Sequence, residues 1–148
     1  MIDRRLRLAA LVIAGLGVGV AGYLTYVHYA GLQPVCAGGG HGCERVQSSS
    51  YASLAGIPVA VLGLAGYVAI AVALIAPGEG ARLAVAALAV SGFGFSAYLT
   101  YLELFVIHAI CQWCVASAAL LTVLAVLAVW RLLLPDDRRR TGGAQQLA

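Results

Sequence analysis

The stretch Cys111-Gln112-Trp113-Cys114 lies between two long apolar segments, one ending just before it and the other beginning within it. Two cysteines separated by two residues at the start of a helix can bring their sulfurs within bonding distance. The amides at a helix N-terminus also stabilise a thiolate. A second pair, Cys36 and Cys43, lies in the first half of the chain. The sequence therefore predicts a redox-active dithiol at a membrane surface, opposite a second dithiol.

The composition is that of a membrane protein. Of the 148 residues, 62% are hydrophobic and only 10% are charged, whereas a soluble domain carries about 25% charged residues. The 18 glycines fit membrane helices, in which glycine is more frequent than in soluble ones. We therefore expect an all-α, integral membrane four-helix bundle, formed as a single membrane domain by residues 1–148 and surrounded by lipid. The net charge of +3 needs no nucleic-acid partner to explain it.

Four apolar stretches predict four membrane spans, since about 20 apolar residues cross the hydrocarbon core. The first could also be a signal peptide, but it is longer than the 7–15 apolar residues of such a peptide. We expect an outer loop between the first two spans and a cytoplasmic tail after the last. The predicted bounds are 6–29, 57–76, 83–107 and 111–134 for the spans, 30–56 for the loop with its short helix, and 135–148 for the tail.

The distribution of arginine predicts the orientation. Four spans place both termini on one side of the membrane, and eight arginines fall on that side against Arg45 alone on the other. Cytoplasmic loops carry the excess of basic residues. Both termini are therefore predicted to be cytoplasmic, and all four cysteines lie on the outer face, where disulfides persist. The eight are Arg4, Arg5, Arg7, Arg82, Arg131, Arg138, Arg139 and Arg140.

An internal repeat is suggested by two segments that are 75 residues apart. Gly17-x-Gly19-x-x-Gly22-Tyr23-Leu24-Thr25-Tyr26 aligns with Gly92-x-Gly94-x-x-Ala97-Tyr98-Leu99-Thr100-Tyr101, and each precedes a cysteine pair by the same spacing. We predict two helical hairpins related by a pseudo-twofold axis along the membrane normal. Small and aromatic residues also recur by chance in membrane helices. A dinucleotide-binding reading of the glycines fails because no strand precedes them.

The four cysteines suggest an electron relay. A dithiol at the membrane edge can pass two electrons to a hydrophobic acceptor in the bilayer, and a dithiol on a glycine-rich loop can reach a soluble partner by thiol–disulfide exchange. Two inert structural disulfides and a tetrahedral zinc site are the alternatives. Four cysteines permit three disulfide connectivities, and the sequence does not choose among them.

Three ionisable residues near the cysteines are further candidates. Glu103 lies within the third predicted span, where an ionisable group is a functional candidate, although a position near the outer face also allows its side chain to reach the interface. His41 and His108 could tune a thiolate or relay a proton, or could simply be interfacial. Trp113 fits an interface on composition alone.

The chain resembles the vitamin K epoxide reductase family in its bacterial form. The resemblance rests on the order of the pairs, with the C-x-x-C pair opening the last span, whereas the disulfide-bond proteins of the Dsb type carry it in the first outer loop. The segments that carry it are Cys36…Cys43-Glu44-Arg45-Val46-Gln47-Ser48-Ser49, Gly56-Ile57-Pro58 and Tyr101-Leu102-Glu103-Leu104…His108-Ala109-Ile110-Cys111-Gln112-Trp113-Cys114.

This resemblance implies a four-helix bundle around a quinone of the menaquinone, ubiquinone or vitamin K type. Cys114 would face the quinone, Cys111 would exchange with Cys43, and Cys36 would exchange with a secreted thioredoxin-fold protein, expected as a separate chain. Ser49 matches a recurrent serine and would support the site, and there is no implied metal.

The implied activity is that of a membrane thiol:quinone oxidoreductase supporting disulfide formation, in the cytoplasmic (inner) membrane of the cell. One alternative is a vitamin K epoxide or quinone reductase that uses thiols only as reductant. Val115-Ala116-Ser117-Ala118 stand where the animal enzymes have a tyrosine that bears on epoxide handling. The other alternative is a non-catalytic, cysteine-based metal-binding membrane protein.

Overall fold

The computed structural model describes residues 1–134, and these are mostly helical. Four long helices account for most of the chain, and a short helix lies in the connection between the first two. The elements are α1 (Ile2–Tyr29), α2 (Gly42–Gln47), a 3-10 turn (Ser50–Ala52), β1 (Ser53–Leu54), β2 (Ile57–Pro58), α3 (Val59–Ile75), α4 (Glu79–Leu102), a π-helical turn (Glu103–Ile107) and α5 (Gln112–Leu133).

The long helices pack as a closed ring, because α1 and α4 each contact both α3 and α5. Small residues let the helices approach closely, as expected inside a membrane bundle. At Gly17 the ring of Tyr67 from α3 fills the space that any larger side chain would need. Tyr67, Ile70, Leu74 and Leu124 are the large side chains that are almost completely buried in this core.

Three of the long helices, α1, α4 with its π-helical turn, and α5, are long and apolar enough to cross a membrane. The helix α3 is equally apolar but has 17 residues, fewer than the about 20 that span the hydrocarbon core. The helical fold class is therefore confirmed. A count of four spans, and the side on which each terminus lies, stay predictions.

The all-α expectation needs one correction. Ser53–Leu54 and Ile57–Pro58 form a two-stranded antiparallel ladder, in which Ser53 is opposite Pro58. The tight turn between the strands uses positive φ angles at Ala55 (52°) and Gly56 (82°), the backbone geometry that two-residue hairpins require.

The starts of the helices also differ from the predicted span bounds. Because β2 occupies Ile57–Pro58, α3 begins at Val59 and not at 57. The helix α4 begins at Glu79, before the predicted 83, because Gly78 with φ 107° ends the preceding turn. The helix α1 begins at Ile2, and the predicted tail 135–148 lies outside the described residues.

Polar contacts join all four long helices at the end of the ring opposite the cysteines. Asp3 of α1 accepts from Arg131 of α5 at 2.9 Å and from Arg82 of α4 at 3.0 Å. The Arg7 guanidinium donates to the carbonyls of Leu74 and Ile75 at the end of α3. Arg131 is almost completely buried. We refer to Asp3, Arg7, Arg82 and Arg131 as the polar clasp.

The two halves share local features at the positions of the proposed repeat. Thr25 and Thr100 each donate from the hydroxyl to the carbonyl four residues earlier in the helix. Gly17 meets a side chain of α3, and Gly92 meets a side chain of α5. These matches support two related hairpins, and the superposition of α1 with α4 stays a prediction.

Candidate functional site

All four cysteines lie in one cluster, at the end of the ring of helices opposite the polar clasp. Cys43 and Cys111 are completely buried, and Cys36 and Cys114 are half-buried beside them. Cys36 and Cys43 form a disulfide with 6.2 Å between their Cα atoms, whereas Cys111 and Cys114 are free thiols. We call these the loop pair and the core pair. The structure therefore shows an oxidised loop pair beside a reduced core pair.

The core pair is held by the start of α5. Cys111 precedes the helix, and its Sγ accepts from the Cys114 backbone N–H at 3.4 Å, as an N-cap residue does. Hydrogen bonds from the Cys114 thiol, and from this N–H, lower the pKa of Cys111 against the opposing effects of burial and the Glu103 charge. Cys111 is thus prepared to react as a thiolate.

Glu103 lies beside the core pair. Its side chain is buried, and Oε2 accepts from the Cys111 backbone N–H at 3.0 Å. Glu103 and Cys114 also line the same cavity. The π-helical turn aims Glu103 at the pair, and its carbonyl accepts from the Ala109 N–H at 3.1 Å. Insertions of this kind in α-helices are frequent at functional sites.

The two residues between the core cysteines hold the chain on either side of Cys36. Trp113 donates from Nε1 to the Val35 carbonyl at 2.8 Å, and the Gln112 Oε1 accepts from the Ala37 N–H at 3.0 Å. The hydroxyl of Tyr23 accepts from the Val35 N–H at 3.1 Å, and its ring lies 4.9 Å from the Trp113 ring. These contacts fix the loop segment beside the core pair.

A close backbone contact fixes the other loop cysteine. Gly42 opens α2, and a Cβ at this position would collide with the Ile110 carbonyl oxygen. Only glycine lets α2 approach the segment before Cys111 this closely. Cys43 follows directly and packs in the same buried cluster as Cys111.

A cavity of about 180 Å³ runs from the core pair into the ring of helices. Its polar end is formed by Cys114, Glu103, Gln47 and Ser49, and the Gln47 amide nitrogen lies 3.9 Å from the Cys114 Sγ. The remaining wall is mostly apolar. Its aliphatic and aromatic members include Val20, Leu24, Val59, Leu62, Ile70, Leu88, Phe95, Leu99 and Leu121. This is the lining expected for a largely hydrophobic ligand with one polar end.

A second polar feature lies in the wall of the cavity. The hydroxyl of Tyr67 is 3.0 Å from the Ser117 carbonyl, to which it donates, and 3.0 Å from the Ser117 hydroxyl. Ser117 follows Cys114 by one helical turn. Tyr67 therefore brings a hydroxyl from α3 to the same side of the cavity as the core pair.

The other predicted residues divide between the site and the surface. Ser49 lines the cavity and donates from its hydroxyl to the Val46 carbonyl at 2.7 Å. His108 is exposed, and its left-handed backbone (φ 54°) ends the π-helical turn. His41 is also exposed and lies 3.3 Å from a Glu44 carboxylate oxygen.

Sequence reasoning missed Gln47, Tyr67 and Gln112, and it assigned Trp113 to the membrane interface alone. Three of these four bond to main-chain atoms of distant segments: Tyr67 to Ser117, and Gln112 and Trp113 to the loop segment. A main-chain partner leaves no residue-type signal, so no sequence pattern pointed to them.

The comparison with known families gives one result. A family model described as the vitamin K epoxide reductase family matches residues 8–129. The match covers most of the chain and includes both cysteine pairs, the α2 loop and the π-helical turn. The chain therefore belongs to the vitamin K epoxide reductase family and is a membrane redox enzyme that uses cysteines.

Proposed function

We propose that this chain is a thiol:quinone oxidoreductase that supports disulfide formation outside the cytoplasm. One observation carries the proposal: Cys114 lines an apolar cavity while Cys111 packs against Cys43 of the loop pair. The four sulfurs thus form a continuous route from the loop to the cavity. The route ends at Cys114 in an apolar cavity, so we propose that the electrons pass to a hydrophobic acceptor such as a quinone.

The cavity suits a quinone, the substrate that would take the electrons. Its apolar wall would hold the ring and isoprenoid chain, and the Gln47 amide and the Tyr67 hydroxyl are polar groups within reach of ring oxygens. A bound quinone supplies the capacity to accept two electrons together with two protons. A menaquinone, a ubiquinone or a vitamin K type of quinone all meet this description.

The thiol chemistry follows the order of the sulfurs. A thiolate of a secreted thioredoxin-fold partner, a separate chain, attacks Cys36, because Cys36 is the more exposed loop cysteine. This releases Cys43, which attacks Cys111 in the Cys111–Cys114 disulfide and releases Cys114. The partner's second thiolate then displaces Cys36 from the mixed disulfide. The Cys36 thiolate attacks Cys43 of the Cys43–Cys111 disulfide, which re-forms the loop disulfide and frees Cys111. The observed state, with reduced core thiols, is the state in which electrons have arrived beside the cavity.

The proposed setting is the cytoplasmic membrane, with four spans and both termini inside. The arginines of the polar clasp lie at the end that would face the cytoplasm, and the cysteines lie at the other end. This arrangement agrees with the excess of positive charge on cytoplasmic segments. Cysteine labelling from either side of sealed vesicles would test it.

The function is tested by an anaerobic assay of purified protein in detergent, with a reduced thioredoxin-fold donor and a soluble quinone. We expect wild type to reduce the quinone and Cys114→Ala to fall to the uncatalysed rate, since the last sulfur of the route is gone. Cys36→Ala is the matched control. It should lose the donor-driven reaction but still reduce quinone once its core pair has been reduced chemically.

Failure of wild type to reduce any quinone, with its thiols shown to be free and metal-free, would contradict the proposal. Bound zinc without thiol oxidation would instead favour a metal-binding role. A quinone epoxide is offered as substrate in the same assay. Its reduction would favour the alternative in which the chain is an epoxide reductase that uses thiols only as reductant.

A further inference from the structure

We infer that Glu103 is a catalytic residue that accepts the proton of the Cys114 thiol when the core pair is oxidised. The inference rests on the proposed function and adds a role for a residue that the sulfur route does not use. It concerns the protons of the reaction, whereas the four cysteines account for its electrons.

The position of Glu103 supports this role. Glu103 is 4% exposed, one of its carboxylate oxygens accepts from the Cys111 N–H at 3.0 Å, and Glu103 lines the same cavity as Cys114. Burying a carboxylate is costly unless it is well partnered. Glu103 opens the π-helical turn that continues the chain directly after α4, and this turn places its side chain beside the core pair.

The chemistry needs a proton acceptor at this point. Oxidation of two thiols forms the Cys111–Cys114 S–S bond and releases two electrons and two protons. Cys111 is completely buried, and Cys114 is half-buried where it lines the cavity, with the Glu103 carboxyl group in the same lining. Cys111 loses its proton to the cavity when it ionises, and Glu103 takes the Cys114 proton as that sulfur becomes a thiolate and then releases it into the cavity. A quinone bound there would take up these two protons together with the two electrons. Glu103 is then ready for the next cycle.

The surroundings of Glu103 define the groups that could titrate with it. From α5 it faces Cys111 and Cys114, and from α2 the site receives the neutral amide of Gln47. Glu44 of α2 is exposed and bonds to His41. Among the carboxylates of residues 1–134, Glu103 is the one that lines the cavity together with Cys114.

The test uses Glu103→Gln in a Cys36→Ser/Cys43→Ser background, which leaves the core pair alone. The amide keeps the volume and an oxygen for the Cys111 N–H, but it cannot accept a proton. We expect the single-turnover oxidation of the reduced core pair by a soluble quinone to slow by about 10²-fold or more, the contribution typical of a general base. Glu103→Asp should recover part of the rate. Glu44→Gln, which removes an exposed carboxylate from α2, should keep the full rate.

A second measurement, without quinone, separates catalysis from structure. The Glu103 charge raises the pKa of Cys111. In Glu103→Gln, the ultraviolet absorbance of the first thiolate should therefore appear at lower pH. Readier thiolate formation with slower oxidation is the signature of a lost proton acceptor, because the substitution removes a negative charge beside Cys111 and, with it, the base that takes the Cys114 proton.

Two results would overturn the inference: an unchanged oxidation rate in Glu103→Gln, or a slower rate without the shift in thiolate formation. Failure of the Glu103-containing protein to reduce quinone would instead overturn the proposed function itself. The two proposals therefore fail in distinguishable ways.

Discussion

The loop pair and the core pair contain the same chemical groups in opposite kinds of structure. Cys111 and Cys114 are positioned by the first turn of α5, through a hydrogen bond between neighbouring residues. Cys36 and Cys43 lie on an extended segment and on the short helix α2, and contacts from other parts of the chain hold both. The core pair is thus positioned by contacts between neighbouring residues, whereas the loop pair is positioned by tertiary contacts with distant segments.

This difference shows how one chain can combine a fixed and a displaceable dithiol. The N-terminus of α5 keeps the core thiols beside the cavity even when the loop pair moves. The segment around Cys36 is held by a few hydrogen bonds at the main chain of Val35 and Ala37, each worth about 0.5–1.5 kcal/mol. Exchange with a large soluble partner is easier for a segment that is held so weakly.

The largest expected effect comes from removing the sulfur that connects the two pairs. In Cys43→Ser, the donor-driven reduction of quinone should fall to the uncatalysed rate, because Cys43 is the loop cysteine buried against Cys111. The chemically reduced core pair should still reduce quinone at close to the wild-type rate. Both rates are read from quinone absorbance under anaerobic conditions. Donor-driven turnover that survives in Cys43→Ser would show that Cys36 reaches the core pair directly.

A smaller effect is expected where α2 meets the segment before α5. Gly42→Ala should lower the free energy of unfolding by about 1–3 kcal/mol, the usual cost of overpacking, because its Cβ meets the Ile110 carbonyl. Electron transfer from the loop pair to the core pair should also slow as Cys43 shifts. Denaturant unfolding in detergent measures the first effect and rapid-quench thiol trapping the second.

The matched control for that substitution is Gly40→Ala. A Cβ at Gly40 has no heavy atom within 4 Å, so we expect stability and transfer rate close to wild type. Equal losses for the two alanine variants would mean that loop flexibility, and not the contact with Ile110, sets the position of Cys43.

The smallest effect tests the hold on Cys36. Trp113→Phe keeps a ring against Tyr23 but loses the Nε1–H bond to the Val35 carbonyl. We expect the segment 35–37 to open more easily by about 0.5–1.5 kcal/mol, seen as faster amide hydrogen exchange there. Exchange within α5 should not change, since the core pair does not depend on this bond. Unchanged exchange at 35–37 would show that Gln112 and Tyr23 suffice.

Much of the fold was predictable because it follows from composition. Long apolar runs must satisfy their backbone hydrogen bonds internally, and helices do so within each run. The two short strands were not predictable in this way. Their turn places Ala55 in a left-handed conformation that alanine rarely adopts. Residue preferences therefore do not predict a hairpin turn at this position.

The candidate site was predictable only in its side-chain chemistry. The residue types and spacing of Cys111 and Cys114 identify a dithiol, but which cysteines pair depends on chain geometry. Glu103 was singled out because it is ionisable within an apolar stretch, yet its contact with the core pair depends on the π-helical turn. The hydrogen-bond register of the π-helical turn depends on how the helices pack, so it cannot be predicted from the residue pattern.

The ion pair between Asp3 and Arg131 links the first long helix to be synthesised with the last. Arg131 is almost completely buried, so its charge is acceptable only once Asp3 of α1 lies beside it. The contact can form only after α5 has left the ribosome and entered the membrane. Insertion of α5 is therefore coupled to neutralisation of a buried charge. Before α5 has packed, Asp3 lacks Arg131, and the polar clasp cannot yet join α1 to α5.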